Sequence, residues 1–174
     1  MNMNKMRINY IKVNFVTTPP SSIFIKEHFT RYCNLQVGTF IQFKELKITL
    51  MGSKFEHVNV TGLRSLAYAK IFQRFYISVS NVKVISSIKI DSISATHKFE
   101  NKSVISLEEF RRKLSILKLT AKDNSKFPGV CIRGEKSGGC AVYFRSGAIN
   151  FIGFKHPFYM IKMKKKKLRV VYFS

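Results

Sequence analysis

The chain has 174 residues, 45% of them hydrophobic, so it is long and apolar enough for one domain with a packed core. Its 31 Lys and Arg against 9 Asp and Glu give a net charge of +22, which predicts attraction to nucleic acid, an acidic protein or an anionic membrane surface. Three cysteines without a CxxC pair, four scattered histidines and no apolar run near ~18 residues argue against a disulfide framework, a zinc site and a membrane span.

Strand and helix patterns follow one another in the first half of the chain. Ile8–Val16 alternates loosely and is rich in β-branched and aromatic residues, which predicts a strand. Pro19-Pro20 ends that strand, and Ser21-Ser22 predicts the cap of a short helix that runs to Cys33. The other elements expected in this half are strands over Thr39–Phe43 and Lys47–Met51 and a helix over Val60–Tyr76.

The second half shows a similar order of patterns. Ile77–Thr96 is strand-like, and Ser106 with two acidic residues behind it predicts the start of a helix that ends near Leu119. The elements expected after it are a polar loop over Ala121–Lys126 and strands over Val130–Arg133, Cys140–Arg145 and Ile149–Ile152. A last helix is expected to open at Pro157 and run through Lys162–Arg169, although Val170–Phe173 fits a strand equally well. Strand, helix, several strands, helix in each half predicts an α+β sheet with helices on one face.

An internal duplication supports two similar halves. Residues 41–54 align without a gap on residues 142–155, which places Phe43 on Phe144 and Gly52 on Gly153 at a constant offset of 101. A duplicated unit of about half the chain predicts two similar lobes in one body. We therefore expect a single domain over residues 1–174, with one pseudo-repeat over about 8–76 and a second over about 84–174.

The motifs in both halves resemble those of the TATA-box-binding protein (TBP) family. In the second half, FPGVCIR at residues 127–133 is followed after nine residues by YFRSG at 143–147 and then by Gly153-Phe154-Lys155, which is the spacing of that family. In the first half, Gly52-Ser53-Lys54, the LAYAKIFQRF segment at 66–75 and Asn9-Tyr10-Ile11 resemble the corresponding family motifs.

The resemblance implies a fold and a pair of DNA wedges. The fold is an α+β, TBP-like saddle, in which a curved antiparallel sheet of two pseudo-repeats lies on the DNA minor groove and carries helices on its convex face. Two phenylalanines in each half enter base steps and kink the duplex. The implied wedge pair of the second half is Phe127 and Phe144. In the first half Phe43 is the implied strand wedge, with Phe29 or Phe24 as its partner.

The resemblance also implies residues that contact bases and phosphates. The expected contacts to the groove floor are Asn9, Ile11, Thr49 and Met51 in the first half and Asp91, Ile93, Asn150 and Ile152 in the second. Lys47 and Arg133 fall where the family contacts phosphates. Met51 and Ile152 occupy positions expected to hold threonine, and the carboxylate of Asp91 would repel phosphate and accept, not donate, hydrogen bonds. Because the groove offers mainly acceptors at A·T pairs, these changes predict weaker TATA readout.

The function implied is that of a divergent, TBP-like transcription initiation factor that binds and bends A·T-rich promoter DNA. Its expected partners are double-stranded DNA and general factors or RNA polymerase subunits, with a monomer on DNA, no membrane, no cofactor and no metal. The composition, rich in Lys, Ile, Asn and Phe, suits a viral or parasite protein from an A·T-rich genome, so the expected location is the nucleus or a site of viral transcription.

Two alternatives remain beside this function. One is a TBP-fold module that binds another nucleic acid or a protein without TATA specificity. The other is an enzyme, which we do not expect, because the sequence holds no nucleophile triad, phosphate loop or metal box, and its nine carboxylates are scattered.

Overall fold

The computed structural model describes residues 6–98, 104–116, 121–122, 129–133 and 138–165. The chain divides into two compact units: Tyr10–Asp91, hereafter the first unit, and Met1–Asn9 together with Ser92–Ser174, hereafter the second unit. The division after Asp91 lies beyond the predicted start of the second pseudo-repeat at residue 84.

In the first unit, five strands pair in the antiparallel order β2-β3-β4-β5-β1. Strand β1 starts among residues of the second unit and continues into the first. The elements in chain order are β1 (Met6–Val16), α1 (Ser22–His28), β2 (Phe29–Tyr32), β3 (Leu35–Gly38), a 3₁₀ turn (Ile41–Phe43), β4 (Lys47–Met51), β5 (His57–Leu63) and α2 (Leu66–Ser80).

The second unit has the same succession of elements, with the antiparallel order β6-β10-β9-β8-β7. Its elements are β6 (Lys89–Lys98), α3 (Leu107–Ile116), β7 (Ala121–Lys122), β8 (Gly129–Arg133), β9 (Cys140–Phe144), β10 (Ala148–Phe154) and α4 (Pro157–Met163). Both units therefore run strand, helix, four strands, helix, in agreement with the order predicted for each half.

Helix α2 builds the core of the first unit. Ser65 caps it by accepting a hydrogen bond from the Tyr68 amide, and it ends at Asn81 in the left-handed conformation, with φ 52°. Phe72 and Tyr76 lie one helical turn apart on the inner stripe and are fully buried against the sheet. Aromatic rings from α1, β2 and the 3₁₀ turn extend this core, so one face of the sheet is covered throughout the unit.

The core of the second unit forms in the same way. Helix α3 packs on β8, and α4 packs on β10. The ring of Phe110 stacks on that of Tyr143 with centroids 4.3 Å apart, and the Tyr143 hydroxyl donates a hydrogen bond of 2.7 Å to the Ile105 carbonyl. His156 caps α4, and Pro157 occupies its first turn, where the sequence predicts that the helix opens. The buried face of this sheet thus lies under α3 and α4.

Several predicted elements differ from those observed. The helix expected from Val60 starts at Leu66, because β5 continues to Leu63 and Ser65 provides the cap. The strand expected over Thr39–Phe43 is a 3₁₀ turn, and the first short helix ends at His28, not Cys33. The start of the strand-like Ile77–Thr96 segment belongs to α2, and the loop expected from Ala121 opens with a two-residue strand.

The units correspond to each other in a register that differs from the predicted duplication. The pairing of β5 with β1 shifts between Leu63 and Val60, and that of β10 with β6 shifts between Phe154 and Phe151. Each shift contains a glycine with positive φ, Gly62 at 97° and Gly153 at 78°. Gly62, not Gly52, is therefore the counterpart of Gly153.

The same register matches β4 with β9. Leu50 lies opposite Val58, and Tyr143 lies opposite Ile149, the residue that corresponds to Val58. Leu50 therefore corresponds to Tyr143, and the next residues, Met51 and Phe144, correspond to each other. The predicted offset of 101, which places Phe43 on Phe144, is wrong.

Candidate nucleic-acid interface

In each unit the paired strands have a second face that none of the described helices covers, hereafter the open face. Directly opposite residues of an antiparallel sheet share a face, so the registers assign side chains to it. In the first unit a row of opposite residues crosses the sheet through the half-buried or exposed side chains of Asn14, Asn59, Thr49, Val37 and Thr30. The neighbouring row one residue away, which includes Phe15, Val58 and Leu50, is buried under α2.

A more apolar row lies at one end of this open face. Val16 and Met51 lie on either side of His57 in this row, and Leu35 and Tyr32 lie opposite each other on the same face. Met51 is 41% exposed, and its sulfur accepts a hydrogen bond of 2.9 Å from Nδ2 of Asn59. The open face of the first unit therefore has a polar middle row and an exposed thioether at the end of β4.

The open face of the second unit has matching rows. Thr96, Asn150, Val142 and Cys131 form its middle row. At the end of β9, half-buried Phe144 lies opposite Gly129. A Cβ added to Gly129 would lie 2.8 Å from the Tyr143 carbonyl oxygen and 2.9 Å from the Val142 side chain, so only glycine fits at this position opposite Phe144. Phe144 is thus placed at the position that Met51 holds in the first unit.

A chain of hydrogen bonds fixes the middle row of the second unit. Nδ2 of Asn9 donates to Oγ1 of Thr96 at 2.7 Å, and that hydroxyl donates to Oδ1 of Asn150 at 2.9 Å. Because its carbonyl oxygen is engaged, Asn150 presents the two N–H groups of its amide to an approaching ligand. This relay supplies hydrogen-bond donors on the open face.

The charge on the open faces is positive or neutral. Lys47 and Arg133 are exposed at the ends of β4 and β8. None of the side chains in the open-face rows named above is acidic. The carboxylate of Asp91 lies 2.6 Å from the ammonium of Lys12, with both side chains about two-fifths exposed, so an approaching phosphate meets a compensated pair.

The structure separates the predicted wedge residues. Phe127 lies outside the described residues, whereas Phe144 is on the open face. Phe43 is buried, with its ring 5.3 Å from that of Phe72 in α2, so the prediction of an exposed strand wedge there is wrong. Phe29 lies opposite Gly38, which lies opposite buried Ile48, and is therefore on the helix-covered face. Phe24, its alternative, also packs in that core.

Of the residues predicted to contact the floor of the minor groove, some lie on the open faces and others are buried. Thr49 and Met51 are on the open face of the first unit, and Asn9, Asn150 and Ile152 are on that of the second. The side chains of Ile11 and Ile93 are 2% and 0% exposed and offer no surface to a ligand. Burial in a bulged part of each strand removes these two from the predicted contacts.

Sequence reasoning missed several polar residues of the open faces, among them Asn14, Asn59 and Thr61 of the first unit. Asn59 and Thr61 are the counterparts of Asn150 and Ile152, and Asn14 is the counterpart of Thr96. The signal was present, because Val60-Thr61-Gly62-Leu63-Arg64 aligns on residues 151–155 as readily as Gly52-Ser53-Lys54 aligns on 153–155. The predicted alignment followed the Gly-x-Lys match and therefore paired Gly153 with Gly52 and not with Gly62.

Comparison with known proteins identifies the fold. The structure of Methanococcus jannaschii TBP matches this chain with a TM-score of 0.73 at 17% sequence identity, over 97% of this chain and 99% of that one. A structure of A. aeolicus tRNASec in complex with M. kandleri SerRS matches at a TM-score of 0.36 and 14% identity, over 97% of this chain and 30% of that one, and carries no argument. No protein-family model and no curated protein matches the chain.

The chain therefore has a TBP-like fold, and the predicted α+β class is confirmed. Among the described residues no helix is long and apolar enough to span a membrane. Within the same residues no three His, Cys, Asp or Glu side chains group together as metal ligands would.

Proposed function

We propose that the protein binds A·T-rich double-stranded DNA through the open faces of its sheets, enters the minor groove and bends the duplex during transcription initiation. The observation that carries this proposal is that Met51 and Phe144 occupy equivalent positions in the two units. Both side chains stand at the end of equivalent strands, on the open face, beside a polar row.

The wedge role follows from the chemistry of base stacking. Partial unstacking of one base step costs a few kcal/mol and is offset by apolar contact and by the extra protein surface that the bent duplex covers. A ring or a thioether held by a strand supplies the apolar contact.

The polar rows suit the floor of the minor groove. At an A·T pair the groove presents only the acceptors N3 of adenine and O2 of thymine. Asn150 offers amide donors toward such acceptors, and Thr49 and Asn59 place further polar groups at the equivalent level of the first unit. The proposal thus moves part of the groove contact from Ile11 and Ile93 to these side chains.

Phosphate contacts supply most of the affinity in this account. We assign phosphate contacts to Lys47 and Arg133, which are exposed, in a chain with a net charge of +22. Each phosphate that a basic side chain neutralises releases about one counterion from B-DNA, so binding weakens steeply with salt. We propose RNA polymerase subunits or general factors as protein partners, a monomer on DNA, and the nucleus or a site of viral transcription as the location.

A second candidate function is that of a protein-interaction module without TATA specificity. Exposed apolar side chains on the outer surfaces of the helices favour it, with Ile71 55% and Phe158 56% exposed. Large apolar side chains on a soluble surface mark contacts with partners when they cluster. This candidate predicts that substitutions on the helices, not on the open faces, abolish function.

The test is DNA binding and bending across a salt series. A·T-rich and G·C-rich duplexes of equal length, labelled at both ends for energy transfer, report affinity and end-to-end distance together. We expect tighter binding and a shorter distance for the A·T-rich duplex, with the bend reduced in Phe144→Ala. Ile71→Ala on α2 is the matched control. Equal affinity for both duplexes without bending would contradict the proposal and would indicate only non-specific electrostatic binding by a basic protein.

The absence of enzymatic activity stays a prediction. Incubating the same duplexes with the protein and Mg²⁺ checks the nuclease alternative, and we expect no cleavage over the time of the binding assay.

A further inference from the structure

A cavity of about 640 Å³, hereafter the edge cavity, lies beside β2, the outermost strand of the first unit. All of its lining residues belong to that unit. They come from the β2–β3 hairpin, the loop after the 3₁₀ turn and the start of β4, and include Thr30, Tyr32, Val37, Lys44 and Lys47. Pockets that hold small molecules typically measure about 300–1,000 Å³. The edge cavity is therefore large enough for such a ligand.

Positive charge predominates in the lining of the edge cavity. Arg31, Lys44 and Lys47 line it, and among its described lining residues Glu45 is the one carboxylate. The Tyr68 hydroxyl of α2 donates a hydrogen bond to that carboxylate. Neither lysine is in an ion pair within the part of the chain that the structure describes. The cavity therefore has an excess of positive charge, which favours a ligand with more than one negative charge.

The register places a lysine and an exposed aromatic ring at opposite ends of the edge cavity. Val37 lies opposite both Thr30 and Thr49, and Lys47 and Tyr32 lie two residues beyond this row in opposite directions. At about 3.3 Å per residue, their positions differ by about 13 Å along the strands. Tyr32 is 70% exposed. The cavity thus has a cationic end, an aromatic end, and Thr30 with Val37 between them.

A nucleotide combines the chemical groups that suit these two ends. Lysine ammonium groups bind phosphate oxygens as point charges. An exposed aromatic ring stacks on a nucleobase, and this contact tolerates any base because every base has a π-face. The Thr30 hydroxyl, which donates and accepts hydrogen bonds, suits the sugar that joins base and phosphates. An inorganic anion would leave the Tyr32 ring without a partner, and an uncharged nucleoside would leave the ammonium groups without one.

We propose that the edge cavity binds a nucleoside triphosphate, with its phosphates at Lys44 and Lys47 and its base against Tyr32. The inference goes beyond DNA binding, because it assigns a free small molecule to a site within the first unit alone. One consequence rests on the proposed function. Lys47 is also assigned to a DNA phosphate, so a bound nucleotide competes with the duplex for this side chain and lowers the affinity for DNA.

Isothermal titration calorimetry with the full chain and no DNA tests the site. The probes are ATP, adenosine, which lacks the phosphates, and inorganic triphosphate, which lacks the base. We expect ATP to bind roughly tenfold more tightly than inorganic triphosphate, because stacking on the ring adds to the phosphate contacts. Adenosine should bind more weakly than either, because it has no charge for the lysines to neutralise.

Substitutions at the two ends of the cavity identify where each part of the ligand binds. Tyr32→Ala should weaken ATP binding roughly tenfold and leave inorganic triphosphate unchanged, whereas Tyr32→Phe keeps the ring and the affinity. Lys44→Ala should weaken ATP and inorganic triphosphate by the same factor. Lys70→Ala removes an exposed lysine from α2, outside the cavity, and is the charge-matched control. Far-ultraviolet circular dichroism confirms that each variant is folded.

The outcomes separate the nucleotide site from the proposed function. Inorganic triphosphate that binds as tightly as ATP, or an equal loss of ATP affinity in Lys44→Ala and Lys70→Ala, would overturn the inference and indicate non-specific attraction to a basic protein. In anisotropy with the A·T-rich duplex, ATP should raise the apparent Kd for DNA, and less so in Tyr32→Ala. An unchanged Kd would overturn the competition. Failure to prefer A·T-rich DNA would overturn the proposed function, whereas the calorimetry, which contains no DNA, would still decide the nucleotide site.

Discussion

Replacing Met51 with alanine tests the wedge assigned to the first unit. Full burial of a methionine side chain is worth about 1.5–3 kcal/mol. Met51 is 41% exposed in the protein alone, so DNA contact that buries the rest contributes about 0.6–1.2 kcal/mol. The loss predicts roughly a 3- to 8-fold rise in Kd for an A·T-rich duplex. The end-to-end distance of the bound duplex should rise as well, because one kink is lost.

The assay pairs fluorescence anisotropy with energy transfer on the same end-labelled duplex. Thermal unfolding should shift little, since the deleted atoms are already partly exposed and their loss leaves no enclosed cavity. Ile71→Ala, which shortens an exposed side chain on α2, is the matched control and should leave Kd unchanged. Unaltered Kd and bend in Met51→Ala, or an equal loss in the control, would refute the assignment.

Three further predictions concern the scaffold. Phe43→Ala should lower the free energy of unfolding by about 3–5 kcal/mol in a denaturant titration, because the ring is buried against α2, and a cost below about 1 kcal/mol would place it outside the core. Gly62→Ala should destabilise the protein more than Gly153→Ala. Both glycines adopt positive φ, but a Cβ at Gly62 would lie 2.5 Å from a carbonyl oxygen, whereas a Cβ at Gly153 would lie 3.7 Å from one. A larger loss of stability in Gly153→Ala would count against the assignment of these glycines to equivalent bulges. Burial raises the pKa of the Cys140 thiol to about 11. Its alkylation by iodoacetamide, followed by mass spectrometry, should therefore be slow at pH 8 and rise about tenfold per pH unit, whereas the exposed Cys33 should react first. Equal rates for the two cysteines at pH 8 would contradict the burial of Cys140.

Local patterns predicted the elements whose signals lie within a few residues. The alternation of Ile8–Val16, the acidic first turn after Ser106 and Pro157 at the start of the last helix each have a local physical cause and were found where expected. The helix α2 was predicted too early, because Leu63 of β5 is three and four residues before Leu66 and Ala67, a spacing that places all three on one face of a helix. Gly62 and the Ser65 cap mark the boundary, and both are visible in the sequence.

The candidate site was predicted only in part, because it depends on register. An aromatic residue is equally suited to a core and to a wedge, and the sequence does not state which face Phe43 shares. The pairing of β4 with β5 decides this and assigns the exposed position to Met51. A shift of register changes every partner along a strand, so the wrong choice of glycine also displaced Asn59 from the predicted floor.

The most direct measurement of the central claim is base unstacking at single steps. 2-Aminopurine replaces adenine at successive positions of an A·T-rich duplex, where its fluorescence rises when the neighbouring base is unstacked. The account predicts two separated positions of increased fluorescence on binding, one lost in Met51→Ala and the other reduced in Phe144→Ala. Binding that leaves the fluorescence low at every position, or an increase that neither substitution alters, would contradict it.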